Sequence, residues 1–484
     1  MKIYLLNPPF VPNFVRCGRW QGAAARSGGL DYPKWLAYAT GILEKENHEV
    51  RLVDAPANKL SREDIILDAT KFGPDLIVVD TNFSSLSNDI AVTGSLKEHN
   101  GANTILVGPP TSQFPDQILG NDGVDMVARF EYDFTLKELA EAINDGNEWE
   151  KTKGISYKKN GKIVHNPLRE LTTSEDLDNM PFVSKVYKEH LNIKNYFLSQ
   201  SLYPEVQIFA GRGCPNLCTF CSWPVTLMGR KYRARSPENI ADEFEWIRNN
   251  LPEVREIFIE DDTFTIKKKL VREFCDELKR RGLDLTWSCN ARADLDYETM
   301  RLMKKAGCRL IIVGYESGSD EILKNIKKGI TVEQIKQFNR AAKKARLMVH
   351  ADFIIGLPGE TKETAQKTLD LIKELKPNIL QVAVATPLPG TEFYEWVNKN
   401  NFLLVTNMEE SIDKKGFQKC IISYPDFTNT DIDIYVDRIL KEYYLNTAYI
   451  PIAASNIFRK NGLQEIKGLA NSAKVFLKYL ERSK

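Results

Sequence analysis

The sequence predicts an α/β protein: two parallel-sheet units followed by a helical C-terminal region. Two series of alternating strand-like and helix-like segments, separated by a polar stretch, predict the units. Three cysteines crowded into the loop after the first strand of the second series mark the end at which chemistry is expected. The 484 residues carry 66 Lys plus Arg and 65 Asp plus Glu, a net charge of +1. Such a balance gives no global field to attract phosphate backbones, so nucleic acid is not an expected partner. With 43% hydrophobic and 27% charged residues the chain is globular rather than disordered. No stretch reaches the about 18 consecutive apolar residues of a transmembrane segment. The start, MKIYLLNPPF, lacks a small-residue cleavage site and reads as a first strand, so the expected location is cytoplasmic.

In residues 1–145 the runs KIYLLNP, EVRLVDA, DLIVVDT, TILVGPP and DMVARFE are short and rich in Val, Ile and Leu. The helical patterns WLAYATGILEKE, REDIILDATKF and LKELAEAIND lie between them. This alternation predicts βαβ units around a parallel sheet buried on both faces. Its strands end in NPP, TNFSS and GPP, and ligands of open α/β sheets sit outside strand carboxyl ends. The stretch RCGRWQGAAARSGG, residues 16–29, follows the first strand closely. Arg16, Arg19, Trp20 and Arg26 give it a basic, glycine-rich character, and Cys17 is a lone thiol within it. It is expected either to close over a ligand or to lie solvated. Residues 146–200 read as a linker, with a hairpin turning on Asn160-Gly161 and a polar run before Pro181.

Residues 201–394 supply the strands EVQIFAG, REIFIED, LTWSC, RLIIVGY, MVHADFIIG and ILQVAVA, with five amphipathic helical patterns between them. A closed eight-unit barrel needs about 250 residues, so six units predict a partial (β/α)6 barrel of TIM type. Residues 395–484 read as mostly helical with a Lys-rich end. Within them YYLNTAYIPIAASNIF is expected to be a packed core helix.

Cys214, Cys218 and Cys221 stand in GRGCPNLCTFCSWP. Three thiolates in one loop at a barrel strand's carboxyl end can hold three irons of a [4Fe–4S] cube and leave the fourth open to a small molecule. A structural zinc site would need four closed ligands, and no second cysteine pair is present. Cys275, Cys289, Cys308 and Cys420 are scattered and read as buried thiols. Acidic stretches follow other strands. Each alone reads equally as a helix cap, and their common placement at strand carboxyl ends gives them weight.

Cx3Cx2C in the first loop of a partial barrel resembles the signature of radical S-adenosylmethionine (radical SAM) enzymes, over about residues 201–390. The resemblance implies that Cys214, Cys218 and Cys221 ligate a [4Fe–4S] cluster that cleaves SAM. It places the SAM amino group near Asp261 and Asp262 in Glu260-Asp261-Asp262-Thr263-Phe264, and the carboxylate near Arg292. Glu316, in Gly314-Tyr315-Glu316-Ser317-Gly318, falls near the ribose or methionyl end. Phe220, Ile354 and Gly356 fall near adenine. Residues 1–145 are similar to the Rossmann-like cobalamin (B12) domain carried by part of that family. The cobalamin would then lie over Asn7, Pro8, Pro9, Thr81, Ser84, Gly108 and Pro109. One departure stands out: none of His48, His99, His165, His190 and His350 occupies the D-x-H-x-x-G setting that ligates cobalt in many such domains. Cobalamin held without a protein histidine, and a domain that holds only substrate or the barrel, both stay open.

The implied activity is methylation of an unactivated carbon, with cyclisation or oxidation as the alternative outcome. The implied partners are a small-molecule, lipid or peptide substrate and an external electron donor of flavodoxin or ferredoxin type.

Overall fold

The computed structural model describes residues 1–16, 22–25 and 27–450. Cys17, Arg19, Trp20, Arg26 and residues 451–458, the second half of the apolar stretch that ends at Phe458, lie outside the described residues.

The five predicted N-terminal strands are β1 (Lys2–Asn7), β2 (Glu49–Asp54), β3 (Leu76–Asp80), β4 (Asn103–Val107) and β5 (Met126–Ala128). They pair in parallel in the order β2-β1-β3-β4-β5. Their continuous apolar runs are explained by burial on both faces. Ile3 and Leu5 join the core shared with the second unit, and Tyr4 and Leu6 join a second core on the far side.

The hairpin β6 (Ile155–Lys159) and β7 (Lys162–His165) turns on Asn160 and Gly161, both with positive φ. It is not linker, as expected from its polar surroundings: β6 pairs antiparallel with β5 and extends the first sheet. The physical reason is that β5 would otherwise present a bare edge of unpaired backbone groups.

The second sheet is β8 (Glu205–Ile208), β9 (Glu256–Ile259), β10 (Trp287–Ala291), β11 (Cys308–Glu316), β12 (Met348–Ile355) and β13 (Ile379–Val384), parallel and in sequence order. Among the described residues β8 and β13 do not pair with each other, so the barrel is open. Helices Pro237–Asn250, Lys268–Arg280, Tyr297–Lys305, Val332–Lys344 and Lys362–Leu375 follow the strands. Ser236, Asp296, Thr331 and Thr361 cap four of them through side-chain oxygens. Phe258, Leu310, Ile312 and Met348 form a separate cluster on the inner face.

The open edge at β8 is covered by the first unit. Helix α1 (Lys34–Lys45) and the residues before it supply the cover. Tyr32 Oη donates to Glu205 O at 2.8 Å, Lys34 Nζ to Gln207 Oε1 at 2.8 Å, and Phe209 N to Tyr38 Oη at 2.8 Å. The two units thus share one core.

After β13 the chain forms helix Glu392–Lys399, an irregular stretch over 400–428, and helix Asn429–Tyr444. The irregular stretch lies across the first unit. Ala24 N donates to Gly416 O at 2.7 Å, Ser87 N to Glu409 Oε1 at 2.5 Å, and the Ser84 and Ser411 hydroxyls meet at 3.2 Å. Two isolated bridges, Leu403–Ile422 and Ile412–Gln418, shape it. The helical reading of the C-terminal region therefore applies to its two helices and not to the strap between them, where Asn, Asp, Gly and Pro break the pattern.

His350 on β12 is 5% exposed. Burial, and then the nearby Arg309, lowers its pKa to about 4. The fold keeps the imidazole neutral where an unfolded chain protonates it, below about pH 6.5. This contribution is fully present above that pH and is lost as pH falls toward 4. Urea unfolding of His350→Gln is expected to show an acid-side decline shallower by about 3 kcal/mol than the parent's. Parallel declines in parent and variant would contradict it.

Candidate functional site

The cysteine loop grows from the carboxyl end of β8 and is fixed at its root. Gly211–Arg212 pairs antiparallel with Arg233–Ala234. The Arg212 guanidinium is wholly buried and bidentate to Asp133, at 2.6 and 3.1 Å, with its face 4.6 Å from the Trp35 ring centroid. Arg233 donates to Glu131 Oε2 at 2.7 Å and Thr172 O at 2.9 Å. Both residues of the pairing are therefore anchored to the loop that follows β5. Gly213 has φ +88°, and a Cβ there would meet Lys231 O at 2.3 Å, so the chain can turn into Cys214 only at glycine.

Cys214 and Cys218 are buried and Cys221 half-buried, and none of the three is in a disulfide. Asn216 Nδ2 donates to Cys214 Sγ at 3.2 Å, and Cys221 N to Cys218 O at 3.3 Å. Thr219 N donates to Ile326 O at 3.1 Å, and its carbonyl accepts from Phe393 N at 3.0 Å. Burial, and then the carboxylate of Asp262, raises the Cys214 thiol, which places Asp262 beside the loop. The donor set is three thiols in one loop, which fits a cube with one open iron. The other described cysteines differ: burial pushes Cys275 and Cys289 well above the ordinary range and Cys420 up to about 12, as expected of inert core thiols.

Asp261 sits at the root of the loop. It accepts from Ala210 N at 2.7 Å and from Tyr232 Oη at 2.9 Å, and burial pushes it up to about 7. Both oxygens brace the loop. Glu316 ends β11 at a bulge, with φ +67° and 1% exposure. Its Oε1 accepts from Lys328 Nζ at 2.6 Å, and among the described residues its Oε2 has no hydrogen-bond partner. Arg292 is engaged with Lys328 O and, at 3.2 Å, with Asp294. Phe220, Cys221 and Ile354 come together around a small cavity of about 30 Å³ closed by Ala383, Thr386 and Gln418. Gly356, φ +99°, precedes Leu357 of that lining: its N–H donates to Glu360 Oε2 at 2.5 Å and its carbonyl accepts from Tyr424 Oη at 2.6 Å.

At the first sheet the loops Asn7–Pro9, Thr81–Ser84 and Gly108–Pro109 converge. Arg16, expected in a mobile loop, is buried and joins them. It is bidentate to Asp89 at 3.2 and 2.7 Å and donates to Asn7 Oδ1 at 2.9 Å and Pro8 O at 2.5 Å. Thr81 Oγ1 donates to the same Asp89 at 3.0 Å, and Asn88 Nδ2 donates to Pro9 O at 2.9 Å. Gly108 lies so near this loop that a Cβ would be 2.3 Å from Thr81 O. A cavity of about 330 Å³ opens here, lined by Phe10, Ser84 and Asn88 on one side and Glu409 and Asp413 of the strap on the other. No histidine reaches this edge: His48 precedes β2, His99 ends helix Leu86–Asn100, His165 ends β7, His190 pairs with Glu44, and His350 lies in β12. The edge suits a flat ligand seated on short side chains and prolines, and it offers cobalt no protein imidazole. Pro109 opens the short helix whose Ser112 donates to Thr226 O of the barrel at 2.8 Å.

Sequence reasoning missed Arg212 and Lys328, and it named Arg16 without the buried bonds that hold it. Single basic residues in loops carry no periodicity and read as surface, and only Gly213 beside Arg212 and Gly329 beside Lys328 hinted at close approach.

The radical SAM superfamily matches residues 208–372, and the B12 binding domain family matches residues 21–140. An uncharacterized methyltransferase of Pyrococcus horikoshii is 30% identical over 478 residues, 97% of this chain and 98% of that protein. Cytidylyl-2-hydroxyethylphosphonate methyltransferase of Streptomyces wedmorensis is 26% identical over 480 residues, 88% of this chain and 86% of that protein. Of solved structures, the radical SAM methyltransferase TsrM of Kitasatospora setae, with cobalamin and a [4Fe–4S] cluster bound, gives a TM-score of 0.71 at 17% identity, covering 93% of this chain and 89% of that one. The chain belongs to the radical SAM enzymes that carry a B12-binding domain. It is a methyltransferase of that family, with a [4Fe–4S] cluster, SAM and cobalamin as its cofactors.

Arg212→Met strands the buried Asp133 carboxylate and is expected to cost about 3–5 kcal/mol. Adding Asp133→Asn should recover most of that loss in a denaturant titration. Independent, additive losses would show that the pair does not act as a unit.

Proposed function

We propose that this enzyme methylates an unactivated carbon of a small-molecule, lipid or peptide substrate held between the cysteine loop and the carboxyl edge of the first sheet. The observation that carries this reading is the anchoring of Arg212 and Arg233 to Asp133 and Glu131, which fixes the loop against the first unit. Cys214, Cys218 and Cys221 are the cluster ligands. Glu316, with a buried oxygen to spare, and Asp262 receive the ammonium end of SAM by charge-assisted hydrogen bonds. Phe220, Ile354 and Gly356 form the adenine wall. Asp261 and Arg292, whose polar atoms are engaged within the protein, brace the loop and the 326–329 turn. Asn7, Pro8, Pro9, Thr81, Ser84, Gly108 and Pro109 form the seat for cobalamin, and Arg16 holds that seat rigid from beneath.

When bound, the cofactors supply one-electron cleavage of SAM and methyl donation, and the chain supplies orientation and shelter from water. The strap over 400–428 closes one side of the space. An external flavodoxin- or ferredoxin-type protein delivers the electron. Among the described residues no helix is long and apolar enough to cross a membrane. That fits the cytoplasmic location proposed here.

SAM carrying a deuterated methyl group tests the reading against candidate substrates. The expected product carries a CD3 group in place of one substrate hydrogen. A product of cyclisation or oxidation, with no label, would overturn methylation. Ala at Cys214, Cys218 or Cys221 is expected to abolish both bound iron and deoxyadenosine formation. A variant retaining the cluster and full SAM cleavage would remove that cysteine from the ligand set.

A further inference from the structure

The turn after helix Asp320–Asn325 meets three of the segments that the function above uses. Ile326 O accepts from Thr219 N of the cysteine loop at 3.1 Å. Lys327, with φ +53°, swings outward to pair with Glu392 at 2.5 Å. That reversal sends Lys328 inward, where it is 9% exposed. Its carbonyl accepts from the Arg292 guanidinium, and its Nζ lies 2.6 Å from Glu316 Oε1. Gly314 makes room for this, since a Cβ there would fall 2.1 Å from Glu316 Oε1 and 3.1 Å from Lys328 Nζ. So one buried cation meets a buried carboxylate, in a turn that is itself bonded to the cysteine loop.

A buried ion pair gives little net stability compared with apolar residues of the same size. Glu316 also holds a left-handed backbone that a side-chain-bearing residue rarely adopts, and such strain persists where the surroundings over-determine it. Both features are expected of a device that sets position. We propose that Lys328 is a positioning residue that joins the cluster loop to the SAM site: it fixes one oxygen of Glu316 so that the other stays free for SAM, while the carbonyl of Ile326 in the same turn holds the cysteine loop through Thr219 N. This rests on the reading of Glu316 as a SAM ligand.

The test uses the full chain, reconstituted without oxygen, as parent, Lys328→Met, Lys328→Arg, Glu316→Gln and the double variant Lys328→Met/Glu316→Gln. Iron per chain, SAM affinity by calorimetry and the SAM-induced change in the electron paramagnetic resonance spectrum of the reduced cluster are recorded. Lys328→Met is expected to load the parent's iron, to bind SAM about tenfold or more weakly, and to lose most of the spectral change. Lys328→Arg should stay within roughly threefold of the parent, and the double variant should bind no more weakly than the weaker single variant. Lys328→Met binding SAM within roughly threefold of the parent would overturn the proposal, as would a double variant that multiplies the two single losses. If Lys328→Met fails to load iron, the double variant, with no buried charge left unpaired, decides: binding as weak as Glu316→Gln supports the proposal, and binding like the parent overturns it. A parent whose cluster spectrum ignores SAM would instead sink the SAM reading itself.

Discussion

The salt bridge between Arg212 and Asp133 is the constraint on which the rest of the arrangement depends. Arg212 stands two residues before Cys214, and Asp133 opens the helix that follows the loop after β5. Both side chains are fully out of water. Charges in such a place are tolerated only with complete, well-aligned partners, and the bidentate geometry plus the Trp35 face supply them. A shift of either unit would break the pair and leave two buried charges. The relative placement of the cysteine loop and the first sheet therefore has one low-energy solution.

Around that anchor, the working residues stand where the backbone leaves regular structure. Gly213, Gly108, Gly356 and Glu316 all have positive φ, and each follows or closes a strand carboxyl end. At three of them glycine removes the steric cost. At Glu316 the cost is kept, and Lys328 holds the strained carboxylate in place. Phe258, Leu310, Ile312 and Met348 form a buried apolar cluster on the same strands, and Glu256, Arg309 and His350 are buried on them as well.

Most strands were legible because they are short apolar runs, which burial on both faces requires, and the cysteine loop was legible because three thiols crowd the end of one strand. The hairpin turn was legible from Asn160-Gly161, but not its partner. Pairing with β5 is a long-range event that no local pattern encodes. The strap over 400–428 has neither helical nor strand period, and its role comes from contacts with Ser84, Ser87 and Ala24 far away in the chain. Arg16 illustrates the limit for single residues. Its neighbours suggested a solvated basic loop, whereas Asp89, Asn7 and Pro8 together provide every bond needed to bury it. Asp261 shows the reverse: an acidic residue in the right motif whose oxygens are used inside the protein.

With the cysteine loop anchored to the first sheet by Arg212 and Asp133, one chain should retain both an iron–sulfur cluster and a corrin. The most direct measurement is anaerobic reconstitution with iron, sulfide and hydroxocobalamin, followed by desalting, metal analysis and an ultraviolet–visible spectrum. About four irons and one corrin retained per chain are expected. About four irons with no retained corrin would contradict that expectation, and would leave the edge formed by Asn7–Pro9, Thr81–Ser84 and Gly108–Pro109 as a seat for something else.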